Sequence, residues 1–228
     1  MMRRIAWRSA LAVGLVLVGC SPAPAASVDL AACPTKAPTG ADATTILADA
    51  GRAVVTTNRG SFTIELYPDA APIATANFVA LARCGFYAQV SFHRVLAGFV
   101  IQAGDPQTRS NREPFDELGS GGPGYQFEVE LPDDSLSYDQ YTVAMANAMR
   151  YDPVSGEITG GTDTNGSQFF IDLESLAGRL RPYYTIIGKV VDGTDVVDAI
   201  GAVAVNKPEV GVPVEAVIIE SVTIESGS

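Results

Sequence analysis

The chain has one histidine, three cysteines and one tryptophan among 228 residues, and these scarcities exclude whole classes of chemistry. His93 alone, with Cys20, Cys33 and Cys84 scattered, gives no ligand spacing for a zinc or other transition-metal site, so no metal is expected. A serine hydrolase would have to use His93 as its base, and Ser167 in Asn165-Gly166-Ser167-Gln168 lacks the Gly-x-Ser-x-Gly elbow. The run Gly119-Ser120-Gly121-Gly122-Pro123-Gly124 has no Lys-Ser/Thr after it and no helical pattern following, which removes a phosphate-binding loop. Basic residues are also few. Fifteen Lys and Arg face 26 Asp and Glu, for a net charge of −11, and Arg3, Arg4 and Arg8 sit in the first 19 residues, which hold no acid. The remaining body is therefore more acidic still and repels nucleic acid.

No apolar run has the length of a transmembrane helix. Ala10 to Val18, preceded by Arg3, Arg4 and Arg8, has instead the plan of a secretory signal over residues 1–19. Its end, Leu17-Val18-Gly19-Cys20, resembles the bacterial lipobox, which implies a diacylglyceryl anchor on Cys20. An ordinary cleaved signal with an incidental cysteine is the alternative. Residues 20–50, with Ser21-Pro22-Ala23-Pro24-Ala25-Ala26, Pro34, Pro38 and Gly40, read as a Pro/Ala-rich tether. Residues 51–228 form one domain, since a chain with 47% hydrophobic residues can bury one sizeable core. The expected place is the outer face of the cytoplasmic membrane or cell envelope, with a lipid as the only membrane contact and the domain a monomer. An oxidising compartment permits a Cys33–Cys84 disulfide, against the alternative of two separate thiols.

Periodicity outlines the domain. Ala53–Thr57 and Ser61–Leu66 alternate apolar and polar residues around Asn58-Arg59-Gly60, which predicts a β-hairpin. From Pro72 to Ala82 the period shifts toward 3.6, with Gly85 just beyond, and predicts a helix. Short strands follow around Phe92, Phe99–Gln102, Tyr141–Asn147, Phe169–Ile171, Tyr184–Val191 and Ala216–Ile224, with a second helix at Asp195–Ile200. Residues 105–124 and 149–161 read as loops. Many short strands with two peripheral helices suggest a closed antiparallel barrel.

Phe92 to Asp105 concentrates the chemistry. Arg94 and Gln102 are an even number of positions apart, so in extended chain they share a face, which Phe92 joins by the same period. An arginine and amides beside apolar walls, with no nucleophile or acid–base pair, suit a reaction that makes no bond. Rotation about a prolyl peptide bond is one, with a barrier of about 18–20 kcal/mol set by amide resonance. A guanidinium can donate to the prolyl nitrogen once it is pyramidal, and not while the amide is planar.

In their order, Phe92-His93-Arg94-Val95, Gly98-Phe99-Val100-Ile101-Gln102, Gly104-Asp105, Met145-Ala146-Asn147, Asn165-Gly166-Ser167-Gln168-Phe169-Phe170-Ile171 and Gly188-Lys189-Val190 resemble the cyclophilins, over about Ala53 to Glu225. The resemblance implies a mainly β fold: a closed eight-stranded antiparallel β-barrel capped by two α-helices. It implies peptidyl-prolyl cis–trans isomerase activity on proline-containing polypeptides, without a cofactor. Arg94 matches the catalytic arginine and Gln102 the amide that supports it. Phe99, Val100, Phe170 and Leu180 match the walls of the proline slot, Ala146 and Asn147 the strand that pairs with the substrate backbone, and Gln168 a neighbouring groove amide. Tyr184 falls where many members carry histidine. His93 matches a histidine that supports the fold. Val100 stands for a common methionine, Ala103 for a glycine, and Arg179 for the tryptophan that contacts cyclosporin in animal members, which implies weak binding of that drug. Residues 149–160 and 112–118 lengthen two loops that could border the groove. The alternative function is a non-catalytic proline-peptide-binding or chaperone module with the same groove.

Overall fold

The computed structural model describes residues 30–110 and 118–227. The signal, Cys20, part of the tether and most of the 112–118 lengthening lie outside these residues.

The first hairpin forms as its alternation predicts. Strands β1 (Arg52–Thr57) and β2 (Gly60–Leu66) pair antiparallel from Arg52↔Glu65 to Thr57↔Gly60, with Ala53, Val55, Phe62 and Ile64 turned inward. Helix α1 (Gly40–Leu47) precedes them and α2 (Pro72–Arg83) follows. Pro72 occupies the first turn of α2, where its missing N–H costs nothing. Two of the open N–H groups there, from Ile73 and Ala74, donate to the carboxylate of Glu130, at 3.0 and 2.7 Å, so a distant acid serves as the cap.

The other strands are β3 (Val90–Ser91), β4 (Arg94–Leu96), β5 (Val100–Ala103), β6 (Thr142–Met145), β7 (Arg150–Tyr151), β8 (Ile158–Gly160), β9 (Phe169–Asp172), β10 (Ile186–Asp192), β11 (Val205–Asn206), β12 (Val212–Pro213) and β13 (Ile218–Glu225). Helix α3 (Thr194–Gly201) follows β10. Nine strands make one sheet in the order β3-β13-β1-β2-β10-β6-β9-β5-β4, while β7–β8 and β11–β12 are separate ribbons.

This corrects the expected closed eight-stranded barrel with two helices. The sheet is a curled nine-stranded half-barrel with three α-helices among the described residues, and its end strands, β3 and β4, are not hydrogen-bonded to each other. They are instead consecutive in the chain. The Phe92 N–H still donates to Val217 O on the β13 side, whereas the next N–H, of His93, donates to Gln102 O on β5. The chain thus changes partner within two residues, which also breaks the period of two there. Phe92 points into the main core, its ring 6.3 Å edge-on from Phe169, and not onto the face of Arg94 and Gln102.

Within the described residues, the segment read as a tether carries a helix packed on the domain. A capping box between Thr39 and Asp42 starts α1. Arg83, in the last turn of α2, donates to Ile46 O at 2.7 Å and pairs with Asp49 at 2.5 Å. A Cys33–Cys84 disulfide joins the chain before α1 to the end of α2.

The central strands are buried on both faces, and period two divides their side chains between two clusters. Ile101, Val143, Met145, Phe169, Ile171 and Ile187 enter the main core under α2, where Phe169 meets Phe78 edge-on at 5.6 Å. Val100, Ala144, Phe170 and Ile186 face the other way and form a smaller cluster with Tyr138 and Leu176.

Asp172 ends β9 on that second face, wholly inaccessible, and among the described residues neither carboxylate oxygen has a hydrogen-bond partner. Burial, reinforced by the charge of Asp139, pushes its acid up to about 8. The native state therefore binds more protons than the unfolded one between about pH 4 and 8, and stability falls as pH rises through that window. Asp172→Asn should be more stable than wild type by about 2 kcal/mol at pH 8.5, with the difference fading toward pH 4, read from urea midpoints. An equal difference at both pH values would contradict this.

Candidate functional site

Register builds the site in one row across the second face of the sheet. Arg94 pairs with Gln102, Gln102 with Phe170, and Phe170 with Ala144. Arg94 and Gln102 do share a face, though not along one extended strand: the turn at 97–99 folds β4 back on β5 and sets them directly opposite each other.

Arg94 is half-buried and, among the described residues, forms no salt bridge. One Nη donates to Gln102 Oε1 at 3.4 Å, and the guanidinium carbon lies 6.0 Å from the centre of the Phe99 ring. Burial lowers its pKa from the ordinary arginine value, and a guanidinium so placed stays cationic. Its fit is set by a directional chain of amides. Gln102 Nε2 donates to Gln168 Oε1 at 3.0 Å, and Gln168 Nε2 donates to the Gly121 carbonyl at 2.8 Å. A backbone carbonyl can only accept, so it fixes which way both amides face and turns the Gln102 oxygen toward Arg94.

Asp105 holds the far end of that chain. Buried, it accepts from the Gln107 N–H at 2.8 Å and from the Gly119 and Gly121 N–H groups at 2.6 and 3.2 Å. A Cβ at Gly121 would come within 2.1 Å of the Asp105 carboxylate, so only glycine allows this grip.

Beside Arg94 a cavity of about 170 Å³ opens among Phe99, Val100, Phe170, Leu180 and Tyr184, with Gln102, Ala146 and Asn147 on its rim. It is smaller than the ~300–1,000 Å³ of sites that enclose a drug-sized molecule, and takes one side chain. Phe170 meets Tyr184 edge-on at 5.2 Å. Tyr138 fixes that wall from behind: its hydroxyl donates to Tyr184 O at 2.7 Å and accepts from the Tyr184 N–H at 3.0 Å. A second, more polar groove of about 550 Å³ shares Gln102, Ala146 and Asn147 with the slot and continues along Gly119–Gly122, Thr164, Ser167 and Gln168. The Asn147 side chain is used internally, donating to Tyr183 O at 2.8 Å and accepting from the Met149 N–H at 3.0 Å.

Thus nine of the ten expected site residues meet at the slot, and Gln168 lines the groove next to it, tied to Gln102. Arg179 lies off both, paired with Glu174 at 3.5 Å on the surface. His93 is buried on the opposite side from the slot, and among the described residues no hydrogen-bond partner meets either ring nitrogen. Burial lowers its pKa to about 4, against the charge of Asp105, which raises it. Sequence reasoning gave no role to Asp105, though it stood in the quoted Gly104-Asp105 pair, and none to Tyr138, which sits in a stretch without periodicity. Among the described residues no three His, Cys, Asp or Glu side chains gather as a cation site.

Comparison with known proteins places the chain among related sequences and structures. Residues 52–224 match the family model described as cyclophilin type peptidyl-prolyl cis-trans isomerase/CLD. The peptidyl-prolyl cis-trans isomerase B of Streptomyces anulatus is 38% identical over 191 residues, 76% of this chain and 96% of the relative. Peptidyl-prolyl cis-trans isomerase A of Mycobacterium tuberculosis is 37% identical over 190 residues, 75% and 91% of the two chains. Among solved structures, a Cryptosporidium parvum cyclophilin type peptidyl-prolyl cis-trans isomerase, crystallised in the presence of the dipeptide Ala-Pro, has a TM-score of 0.64 and 32% identity. The match covers 77% of this chain and 99% of that one.

With the only histidine held neutral, its titration is directly readable. The native pKa is depressed, so His93 contributes stability that is full above about pH 6.5 and lost as pH falls toward 4. The imidazole NMR shifts should stay flat from pH 8 to 5.5, and a midpoint near 6.5 in the folded protein would refute the buried, neutral assignment.

Proposed function

The chain belongs to the cyclophilin-type peptidyl-prolyl cis–trans isomerases, and on that premise we propose that it turns X-Pro bonds of exported proteins by binding the twisted amide with Arg94. It is an isomerase. The observation that carries the finer reading is Arg94: a half-buried cation, without an ion pair among the described residues, held by a neutral amide at the mouth of an apolar slot. A carboxylate partner would engage the guanidinium equally in every substrate state. An amide partner orients it and leaves its charge unspent.

In this mechanism the proline ring occupies the slot of Phe99, Val100, Phe170, Leu180 and Tyr184. The flanking backbone lies along Ala146 and Asn147. As the peptide bond twists, resonance is lost and the prolyl nitrogen's lone pair, no longer shared with the carbonyl, accepts a hydrogen bond from Arg94. The planar amide offers no such acceptor, so the interaction is made only near the transition state and lowers the barrier. Gln102 positions Arg94, with Gln168 and Gly121 behind it. No covalent intermediate forms, and no cofactor takes part.

The proposed location is the outer face of the cytoplasmic membrane or the cell envelope. Support comes from the signal-like residues 1–19, the Leu17-Val18-Gly19-Cys20 stretch, and a disulfide suited to an oxidising compartment. Cys20 would carry the lipid. The acidic domain would stay off anionic lipid, held as a monomer by its tether.

Two experiments test these readings. In a peptide assay of prolyl isomerisation, Arg94→Ala should lower kcat/KM by about 100-fold or more. A variant within a factor of two of wild type would sink the mechanism, and a wild-type chain that binds the peptide without turnover would favour a non-catalytic binding module. Labelling with a fatty acid in a bacterial host should mark the wild-type chain and not Cys20→Ser; label persisting on the variant would refute the anchor.

A further inference from the structure

Where the chain leaves the slot it does not turn directly into the groove. Asn147 lines the slot and Thr164 the groove, and between them stands the β7–β8 hairpin. Its base is pinned to the groove wall: the Ala148 N–H donates to Thr164 Oγ1 at 2.9 Å, and that hydroxyl donates to Gly161 O at 2.5 Å. The two legs cross so closely that a Cβ at Gly161, which has φ +80°, would lie 2.3 Å from Ala148 O. At the tip, Asp152 accepts from the Val154 and Ser155 N–H groups at 2.9 and 2.7 Å, and the Gly156 N–H donates to Asp152 O at 2.8 Å.

The hairpin is braced by the segment that also carries the slot wall. The Tyr151 and Tyr183 rings lie 5.3 Å apart, and the Arg181 guanidinium lies 5.0 Å from the Tyr151 ring centre. The Tyr183 hydroxyl donates to Gly156 O at 2.5 Å. Leu180 and Tyr184 of that same segment wall the slot, and Tyr183 O accepts from Asn147. Hairpin and slot wall are therefore one ordered piece. The Tyr151 hydroxyl is close enough to Tyr184 to raise its pKa, after the larger effect of burial.

This ordered piece leaves apolar surface uncovered. Tyr151 is 44% exposed, Ile158 36% and Val154 93%, three of the eight large apolar side chains exposed among the described residues. Single exposed apolar residues need no explanation, whereas three on one ribbon that is continuous with a substrate slot mark a contact surface.

We infer that the β7–β8 hairpin is a specificity element of the isomerase site, with Tyr151 and Ile158 holding an aromatic or large aliphatic side chain of the polypeptide substrate beside the slotted proline. The inference rests on the isomerase reading and deepens it. Tyr151 packs against Tyr183, the chain neighbour of slot-lining Tyr184, so it borders the exit from the slot on that side, and because the hairpin is already ordered, contact there costs little additional conformational entropy. An aromatic ring laid on Tyr151 gains edge or stacking contact beyond its area.

The test uses the full-length chain and two series of proline peptides, with phenylalanine or alanine placed before or after the proline. The readout is the preference ratio, kcat/KM for the phenylalanine peptide over the alanine peptide in the same series. Wild type should prefer phenylalanine in one series. Tyr151→Ser should lower that ratio by about five-fold, mainly through KM, and Tyr151→Phe should retain it. Ile158→Ser should act in the same direction. A ratio unchanged by Tyr151→Ser, or no wild-type preference, overturns the inference while leaving the isomerase reading intact. No wild-type turnover of any peptide would instead defeat that reading. Sedimentation run alongside identifies the other occupant: a wild-type dimer that Tyr151→Ser converts to monomer would assign the surface to a second copy of the chain and overturn the proposal.

Discussion

The structure depends on one geometric constraint, the alternation of side chains across four central strands. Along β5, β6 and β9 every second residue enters the core beneath α2 and the residues between build the opposite face, while β10 keeps the pattern at Ile186 and Ile187 before its register shifts. Because register has a period of two, a slip of one residue in any of these strands would exchange core for site. The row Arg94–Gln102–Phe170–Ala144 is thus held by the same packing that stabilises the fold. On the sheet the packing itself lends rigidity, since Phe170 lies between Phe169 and Ile171, both fully buried.

A second theme is the management of charge. The domain is acidic overall, yet the cation at the slot is neighboured by neutral amides whose direction is dictated by the Gly121 carbonyl and, behind it, by Asp105. The acid that fixes the arrangement is kept four links away from the guanidinium it serves. Its charge is spent on the backbone N–H groups of Gly119 and Gly121 and does not neutralise Arg94. His93, next to Arg94 in sequence, is kept neutral by burial and so adds no competing positive charge.

Much of this was legible from the chain alone, for identifiable reasons. The β1–β2 hairpin and α2 announce themselves by period and by Gly60, Pro72 and Gly85, because local rules decide them. Arg94 and Gln102 share a face, as alternation predicts, but through the β4–β5 hairpin, whose turn at 97–99 sets them opposite each other as a cross-strand pair. Phe92 defied the same rule since the chain switches hydrogen-bond partners, from Val217 to Gln102, immediately after it. The closed barrel expected from the family resemblance became an open, curled sheet at that switch. Helix α1 was hidden in a Pro- and Ala-rich stretch, where a Thr39–Asp42 capping box and docking on Arg83 override composition. Tyr138, Asp105 and the 150–160 hairpin act through contacts distant in sequence, which no local pattern reports.

The central claim is that Arg94 recognises the twisted amide and not the ground state. The most direct measurement is magnetisation exchange between cis and trans forms of a proline peptide held at saturating concentration on wild type and on Arg94→Ala, with the dissociation constant measured beside it. The account predicts that the exchange rate on the enzyme collapses by about 100-fold while the dissociation constant moves by less than about three-fold. Exchange that survives in Arg94→Ala, or a loss of rate fully matched by a loss of binding, would contradict it.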